Sequence, residues 1–357
     1  EYSTNGFADE LQTTVITAST LASPLTYAWT VPDAIGTNLK VRISDAADAT
    51  VTDVSNGTFT IKGALVLTSP NGAETWIVGQ SQNITWNRTG SIANVKLEYS
   101  TNSGSTYPNV IIASTGAAAG TYGWTIPDAI GSQLRVRVTD VSDATVNDVS
   151  DANFTVKGSV TMTAPNGGET WVVSSSHDIT WTKTGTIATV KLEYSTNGFL
   201  DELATVVIVT STDATGTPAS TYKYTWTVPD AISSSVKARI TNTADVAVTD
   251  RSDTNFKIAG ALTLTAPNGT EQWTVGTPQT VSWTKTGSIA NAKLEYSTDG
   301  GTTYPNTIVA STLNAGTYAW TVPDTISTTL KVRISDVNNA NAFDVSNNNF
   351  KIQMALF

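Results

Sequence analysis

The five residues Val31-Pro32-Asp33-Ala34-Ile35 decide the fold, because the chain contains this stretch four times. The copies, spaced by 95, 102 and 94 residues, are Ile126-Pro127-Asp128-Ala129-Ile130, Val228-Pro229-Asp230-Ala231-Ile232 and Val322-Pro323-Asp324-Thr325-Ile326. Self-similarity at a period of about 100 residues is typical of one folded unit copied along a chain. The sequence therefore predicts a tandem array of similar domains.

The 10 tryptophans all stand at repeated positions. The positions before the Pro-Asp turn are those of Trp29, Trp124, Trp226 and Trp320. Three tryptophans follow a Pro-Asn-Gly turn: Trp76, Trp171 and Trp273. Another three lie ten residues further on: Trp86, Trp181 and Trp283. Placement this regular predicts that the tryptophans are core residues of the repeated domain.

The repeat also predicts the domain boundaries. We assign the C-terminal part of a domain to residues 1–62, whole domains to 63–157, 158–259 and 260–352, and the start of a further domain to 353–357. The first part lacks two of the tryptophans because the sequence begins at the equivalent of Glu98. We interpret the chain as a segment of a longer array.

Apolar and polar residues alternate in short runs, and this period of two is the signature of strands with one buried face. Residues 95–100 read Val-Lys-Leu-Glu-Tyr-Ser, so Glu98 and its equivalents Glu193 and Glu295 are expected to face water. Turn residues separate the runs, and no long helical period is present. The sequence predicts an all-β chain of tandem immunoglobulin-like or fibronectin III-like Greek-key β-sandwich domains in a linear array.

A second pattern alternates along the array. The first and third domains share Ser-Thr-Asn-Gly-Phe at 3–7 and 195–199, while the second and fourth share Thr-Tyr-Pro-Asn at 106–109 and 303–306. The junctions, such as Ala259-Gly260, are too short to be flexible linkers. We therefore expect an A-B-A-B array whose domains are stacked end to end as a stiff rod.

Composition excludes several classes of partner. The chain has a net charge of -10 and a pI of about 4.6, so we expect no nucleic-acid partner and no docking on an anionic membrane. It contains no cysteine, which removes thiol chemistry, and no apolar run is long enough to span a bilayer.

Few residues suggest catalysis. His177 is the single histidine and stands beside Asp178, so the residue types of a Ser-His-Asp triad are present. No nucleophile elbow of the form Gly-x-Ser-x-Gly supports such a triad. We interpret His177 as a surface variation. The repeated glutamates are not paired as glycoside hydrolysis requires. The sequence predicts a protein that is not an enzyme and has no catalytic residues and no cofactor.

Calcium is the one ion that the sequence suggests. Oxygen ligands are dense in two adjacent turns of the second domain, and hard oxygen ligands are those that Ca²⁺ prefers. The spacing is not that of an EF-hand, and Asp also favours turns through its own hydrogen bonds. Both readings, a weak calcium site and plain turn chemistry, apply to Asp140, Asp143, Asp148 and Asp151.

Glycosylation is a further expectation. Five asparagines begin an Asn-x-Ser/Thr sequon, and a hydroxyl-rich surface is suited to O-linked sugar. The five candidates are Asn56, Asn83, Asn87, Asn153 and Asn268.

The motif Pro-Asn-Gly-Gly-Glu-Thr-Trp, followed by Ile-Thr-Trp and Trp-Thr-Val-Pro-Asp, resembles the Ser-Thr-rich, GPI-anchored membrane domain family related to yeast proteins of cell-wall β-glucan assembly. The matching residues include Pro165, Asn166, Gly167, Glu169, Trp171, Ile179, Trp181, Tyr194, Trp226, Pro229 and Asp230. The resemblance implies immunoglobulin-like repeats of extracellular surface, wall or adhesive proteins. It implies no catalytic residue.

Two main functions remain open at this point. The first is structural: a stalk, adhesin shaft or filament subunit, extracellular or at the cell surface, whose partners are neighbouring repeats or copies of the same protein. The second is a carbohydrate-binding or wall-anchored module, with cell-wall polysaccharide as partner. A fibre completed by strand exchange is a third option, because the first domain lacks its opening strands.

Overall fold

A computed structural model describes residues 1–214 and 222–354. Residues 355–357 of the predicted further domain lie outside the described residues. Within the described part the chain is built of 32 strands and two short 3₁₀ turns, Glu10–Gln12 and Ala117–Ala119. No helix in that part is long or apolar enough to cross a membrane. The prediction of an all-β chain is confirmed.

The strands follow the sequence repeat. Those of the first predicted domain are β1 Tyr2–Ser3, β2 Thr13–Thr14, β3 Gly36–Ser44, β4 Thr52–Val54 and β5 Phe59–Ile61. Those of the second are β6 Ala64–Ser69, β7 Thr75–Ile77, β8 Ser81–Thr89, β9 Asn94–Ser100, β10 Asn109–Gly116, β11 Thr121–Thr125, β12 Gly131–Asp140, β13 Asn147–Val149 and β14 Phe154–Lys157.

The third and fourth domains repeat the pattern of the second. The strands of the third are β15 Ser159–Ala164, β16 Thr170–Val172, β17 Ser176–Thr184, β18 Thr189–Ser195, β19 Thr205–Asp213, β20 Tyr222–Thr227, β21 Ser233–Asn242, β22 Thr249–Arg251 and β23 Phe256–Ala259. The strands of the fourth are β24 Ala261–Ala266, β25 Gln272–Thr274, β26 Pro278–Thr286, β27 Asn291–Ser297, β28 Asn306–Leu313, β29 Thr317–Thr321, β30 Ser327–Asp336, β31 Asn339–Val345 and β32 Phe350–Gln353.

Each of these three domains has two sheets. In the second domain the smaller sheet has the order β11-β8-β6 and the larger has the order β10-β9-β12-β14-β7, with β13 paired to β12. The pair of β7 and β14 is parallel, and its neighbours are antiparallel. The opening strand thus divides between the two sheets as β6 and β7. This topology is that of immunoglobulin-like and fibronectin III-like sandwiches.

An aromatic cluster fills the space between the two sheets. In the second domain the ring of Trp76 lies 6.0 Å from that of Trp124 and 5.0 Å from that of Phe154, and Tyr99 lies 5.2 Å from Trp124. The third and fourth domains repeat these contacts within a few tenths of an ångström. The tryptophans of the three whole domains are buried, which confirms that they are core residues.

The first domain has one sheet and no second sheet among its described residues. Trp29, the equivalent of Trp124, lies in an unpaired extended segment 5.3 Å from the ring of Tyr2. In the second domain that segment is β11 and pairs with β8, and the first domain has no equivalent of β8 among its described residues. The small core of the first domain therefore rests on one sheet, and apolar side chains such as Leu25 remain exposed.

The Pro-Asn-Gly turn between the two sheets is fixed by a carboxylate. The backbone amides of Asn71 and Gly72 each donate to Glu74 at 2.7 Å. Gly72 has a φ of +131°, and a Cβ there would lie 2.6 Å from the Cβ of Ala152. Only glycine fits this backbone and this approach. The turn is what brings β6 to one sheet and β7 to the other.

By contact density the chain forms two compact units. One consists of Glu1–Ser159 with Thr184–Thr186, and the other consists of Val160–Lys183 with Ile187–Phe357. Each unit contains one complete junction between sandwiches, at Gly63 and at Gly260.

Candidate functional site

A charged cluster lies on the outer face of the larger sheet in each domain. In the second domain Glu98 accepts from Lys96 Nζ at 2.5 Å and from Arg137 Nη2 at 2.8 Å. Because neighbouring strands β9 and β12 place Glu98 opposite Arg137 in register, the pair joins the two central strands. The Arg137 guanidinium lies 4.4 Å from the ring centroid of Tyr107. We call these four side chains the outer-face cluster.

The expectation that the repeated glutamates face water is wrong. Their side chains do point away from the core, but Glu98, Glu193 and Glu295 are only 5%, 4% and 6% exposed. Lys96 and Arg137 both pair with Glu98, and the Arg137 guanidinium in turn lies against the ring of Tyr107. Alternation along one strand predicts the direction of a side chain and not what other strands place over it.

The buried glutamates of the outer-face clusters of the second and fourth domains are kept ionised by their basic neighbours. Burial alone would raise the pKa of Glu98, but the hydrogen bonds and charges of Lys96 and Arg137 together outweigh it and hold the pKa below its ordinary value. Glu295 has its pKa lowered by the same balance with Lys293 and Arg333. These carboxylates stay ionised at neutral pH, so they have no proton to donate as a general acid.

The alternation along the array corresponds to two forms of this cluster. In the third domain Arg239 pairs with Glu193 at 2.9 Å and also with Glu202 at 2.8 Å, and it lies 4.6 Å from the ring of Phe199. The hydrogen bonds from Arg239 lower the pKa of Glu202 to about 2. Phe199 ends the Ser-Thr-Asn-Gly-Phe motif of the first and third domains, and Glu202 belongs to the Asp-Glu-Leu that follows this motif in both.

The first domain has the same form. Arg42 pairs with Glu1 and Glu10, each at 2.7 Å, and its guanidinium lies 4.6 Å from the ring of Phe7. In the second and fourth domains a tyrosine takes the place of the phenylalanine, and no second acid pairs with the arginine among the described residues. The A-B-A-B sequence pattern thus gives arginine clusters with two acids or with one.

A surface cavity of about 260 Å³ adjoins the outer-face cluster of the second domain. Lys96, Arg137, Asp140 and Ala144 are among its lining residues. Both cations already pair with Glu98, and Asp140 accepts from a backbone amide of its own turn at 2.8 Å. The charged groups named here are therefore already paired, whereas the buried Thr139 Oγ1 in the same lining has no hydrogen-bond partner among the described residues.

Two of the predicted calcium ligands form separate turns. Asp140 accepts from the amide of Ser142 at 2.8 Å. Asp143 accepts from the amide of Thr145 at 2.9 Å and pairs with Lys62 at 3.0 Å. The hydroxyl and amide of Thr145, followed by Lys62, lower the pKa of Asp143 to about 2. Each carboxylate is an acceptor for its own turn, as Asx turns predict.

The other two predicted ligands bind elsewhere. Asp148 accepts from the amide of Leu67 on β6 at 2.7 Å, and Asp151 accepts from Asn71 Nδ2 at 2.6 Å. Within the described residues no three Asp, Glu, His or Cys side chains gather as metal ligands do. The calcium site stays a prediction of the sequence, and a melting temperature unchanged by excess chelator would remove it.

The predicted glycosylation sites differ in access. Asn56 is exposed, and Asn83 and Asn87 are exposed on β8. Asn153 is half-buried and accepts from Arg135 Nε at 2.9 Å, while Asn268 accepts from the amide of Asn347 at 2.6 Å. Glycosylation stays a prediction, with the exposed three as the accessible acceptors.

The histidine does not form a triad. His177 stacks on Trp171 at 4.5 Å, and its Nε2 lies 2.9 Å from Ser175 Oγ. The neighbouring Asp178 instead pairs with Lys223 at 2.8 Å and accepts from Thr225 at 2.6 Å. The acid that would orient the imidazole is thus directed to another strand.

Comparison with models of protein families gives no match, and no curated protein matches the chain. Among solved structures it is similar to the fibronectin(III)-like modules of Clostridium thermocellum CbhA, with 19% identity, 55% of this chain and 93% of that chain covered and a TM-score of 0.19. It is also similar to the N-terminal four Ig domains of Dscam1 isoform 1.9, with 9% identity, 85% and 77% covered and a TM-score of 0.28. These likenesses concern the kind of sandwich domain alone.

Proposed function

We propose that this chain is a non-enzymatic structural protein, a repetitive rod or fibre of extracellular β-sandwich domains that serves as stalk, adhesin shaft or filament subunit. The observation that supports this most is the packing of the linkers. A Cβ on Gly63 would lie 2.7 Å from Ile92 Cγ1 and 3.0 Å from Thr89 O. Gly63, the first residue of the second domain, therefore packs directly on that domain, which leaves the short junction little freedom.

The junction in the other compact unit is built in the same way. A Cβ on Gly260 would lie 2.6 Å from Ile289 Cγ1 and 2.9 Å from Thr286 O. Ile92 and Ile289 are both buried. In each case the first residue of a domain packs against a buried isoleucine of that same domain, which restricts the backbone of the short junction.

The chemistry of the described residues supports the same proposal. The outer-face clusters hold ionised, paired groups, and the acids of the turns accept from their own backbone. Such groups stabilise strands and turns and leave no activated nucleophile or base. The resemblance to the Ser-Thr-rich surface family fits an extracellular or cell-surface place.

Small-angle scattering and electron microscopy of the intact chain test the proposal. We expect an extended particle of constant length, and a matched variant with a Gly-Ser insertion after Gly63 and after Gly260 is expected to broaden the distance distribution. A native chain that scatters as freely jointed beads, like the variant, would contradict a rod.

The burial of the tryptophans weighs against the carbohydrate-binding alternative. The tryptophans of the three whole domains are 7% exposed or less and cannot stack on a sugar from outside. Polysaccharide binding stays a prediction of the family resemblance. Retention of the chain on insoluble cell-wall glucan, and not on an inert resin, is the outcome that would restore it.

A further inference from the structure

The first Pro-Asp turn contacts the next sandwich. The amide of Ser91 donates to Asp33 Oδ1 at 2.9 Å, and the Ser91 hydroxyl donates to Asp33 Oδ2. Ser91 belongs to the loop that follows β8 of the second domain, whereas Asp33 lies before β3 of the first. The two hydrogen bonds therefore join one domain to its neighbour, and they lower the pKa of Asp33.

The second compact unit contains the same contact. The amide of Ser288 donates to Asp230 Oδ1 at 2.9 Å, and its hydroxyl donates to Asp230 Oδ2 at 2.5 Å. Asp230 lies before β21 of the third domain, and Ser288 follows β26 of the fourth. The sequence has the equivalent residues Asp128 and Thr186, again 58 positions apart as in the other two pairs.

Glycine is required in the loop that docks. Gly90 has a φ of +83°, and a Cβ there would lie 3.1 Å from Asp33 Oδ1 and 3.2 Å from Ile35 Cδ1. Gly287 has a φ of +84°, and a Cβ there would lie 3.2 Å from Asp230 Oδ1. The surface thus recognises a glycine followed by serine or threonine: the glycine for close approach, the hydroxyl and amide for the carboxylate.

The fourth turn has the same residues and no such partner in the described part of the chain. Asp324 is exposed, and its carboxylate accepts no hydrogen bond there. Ile326 is 56% exposed, against 43% for Ile35 beside its docked loop and 38% for Ile232. The turn at 323–326 is therefore an open copy of a surface that is occupied at other turns of the chain, those of Asp33 and Asp230 among them.

We propose that the Pro-Asp-x-Ile turn is a docking surface for the Gly-Ser/Thr loop of another sandwich of this repeat, and that the turn with Asp324 and Ile326 takes up such a domain. The loops at Gly90 and Gly287 already have their partners within this chain. The partner that we assign to the open turn is a further sandwich of this repeat whose loop is free. This recognition goes beyond the structural role and does not depend on whether the whole chain is a rod.

Amide hydrogen exchange in the full chain tests the occupied copies. We expect Asp33→Ala to speed exchange of the Ser91 amide by about fivefold or more while the Ser288 amide keeps its rate, and Asp230→Ala to do the reverse. Asp48→Ala is the matched control, because Asp48 accepts from the amide and hydroxyl of Thr50 within its own domain.

A control amide and a conservative variant complete the experiment. Exchange of the Leu39 amide reports whether the first domain stays folded, and Asp33→Asn, which keeps one acceptor, is expected to fall between wild type and Asp33→Ala. A Ser91 amide that exchanges in Asp33→Ala as it does in wild type would overturn the proposal.

The open copy is tested by extension. A copy of residues 63–157 is joined after Gln353, where Ile352-Gln353 matches the Ile61-Lys62 that precedes Gly63. We expect the Ser91 amide of the added copy to be protected, and Asp324→Ala to remove that protection while the Val136 amide of the copy, which reports its folding, is unchanged. Equal exchange with and without Asp324 would refute docking at this turn, whatever the shape of the chain.

Discussion

The buried hydroxyl of Ser150 links two separate parts of the second domain. Its Oγ donates to the carbonyl of Pro70 at 2.7 Å and accepts from the amide of Val136 at 2.9 Å, so it ties the opening turn to β12. Ser252 and Ser346 make the same two bonds in the third and fourth domains. These serines are fully buried, and sequence reasoning missed them because serine is common throughout the chain.

We expect Ser150→Ala to destabilise the second domain by about 1–3 kcal/mol, because a buried amide and carbonyl lose their partner. Exchange of the Val136 amide measures the loss locally, which avoids treating the array as one two-state unit. Ser142→Ala, at an exposed position in the same domain, is the control. Equal effects of the two substitutions would show that the hydrogen bonds of the Ser150 hydroxyl do not stabilise the domain.

The stability that the outer-face clusters contribute is expected to fall at acid pH. The pKa of Glu98 and that of Glu295 lie below the ordinary 4.5, so their ionised forms stabilise the fold above that pH, and the contribution is lost as pH falls through the lowered values. We expect the double variant Glu98→Gln, Glu295→Gln to be less stable than wild type at pH 7, and the difference to shrink below about pH 4.5.

Near-UV circular dichroism of the buried tryptophans during urea unfolding measures this difference. Asp324→Asn, which removes an exposed carboxylate, is the control and is expected to follow wild type at every pH. A stability gap that stays constant from pH 7 to strong acid would contradict ionisation of the glutamates as its cause.

At the level of elements, the extended segment around Trp29 differs from its paired equivalent. β11 has β8 beside it over five residues, whereas Trp29 has no strand partner among the described residues. We therefore expect amides of residues 26–30 to exchange orders of magnitude faster than those of 121–125, by exchange mass spectrometry of one sample. The repeat supplies its own control, since the two segments have closely similar sequences.

The same comparison shows what the sequence predicts about elements. The alternation of residues 95–100 predicts β9 and its inward face correctly, because the period of two is a local property. The division of the opening strand into β6 and β7 is not visible in any period. It depends on Glu74, which binds two amides of the turn, and on Gly72, which must approach Ala152.

For the whole molecule, the recurring Pro-Asp turn predicts the number and kind of domains, since similar sequences fold into similar sandwiches. The outer-face clusters were beyond prediction because Arg137, which pairs with Glu98, lies 39 positions further along the chain on another strand. The docking of one sandwich on the next was equally hidden, since each half of the contact reads as an ordinary turn.

The packed linkers give a prediction for the whole array. Gly63→Ala and Gly260→Ala each place a methyl group within 3 Å of a buried isoleucine, so the backbone of the short junction must shift to relieve the clash. We expect a broader distance distribution in small-angle scattering and faster cleavage near the linkers by a protease. Gly57→Ala, where a Cβ meets nothing within 4 Å, is the matched control. Unchanged scattering in both variants would show that the linkers do not set the joint.

The pairing of Asp33 with Ser91, and of Asp230 with Ser288, has a consequence for the medium in which such an array works. Each contact joins a carboxylate to a neutral amide and a neutral hydroxyl, so it contains no pair of opposite charges for dissolved ions to screen. Exposed ion pairs such as that of Lys223 with Asp178 weaken in brine, whereas these contacts are expected to persist. An array held together in this manner would keep its joints from fresh water to sea water.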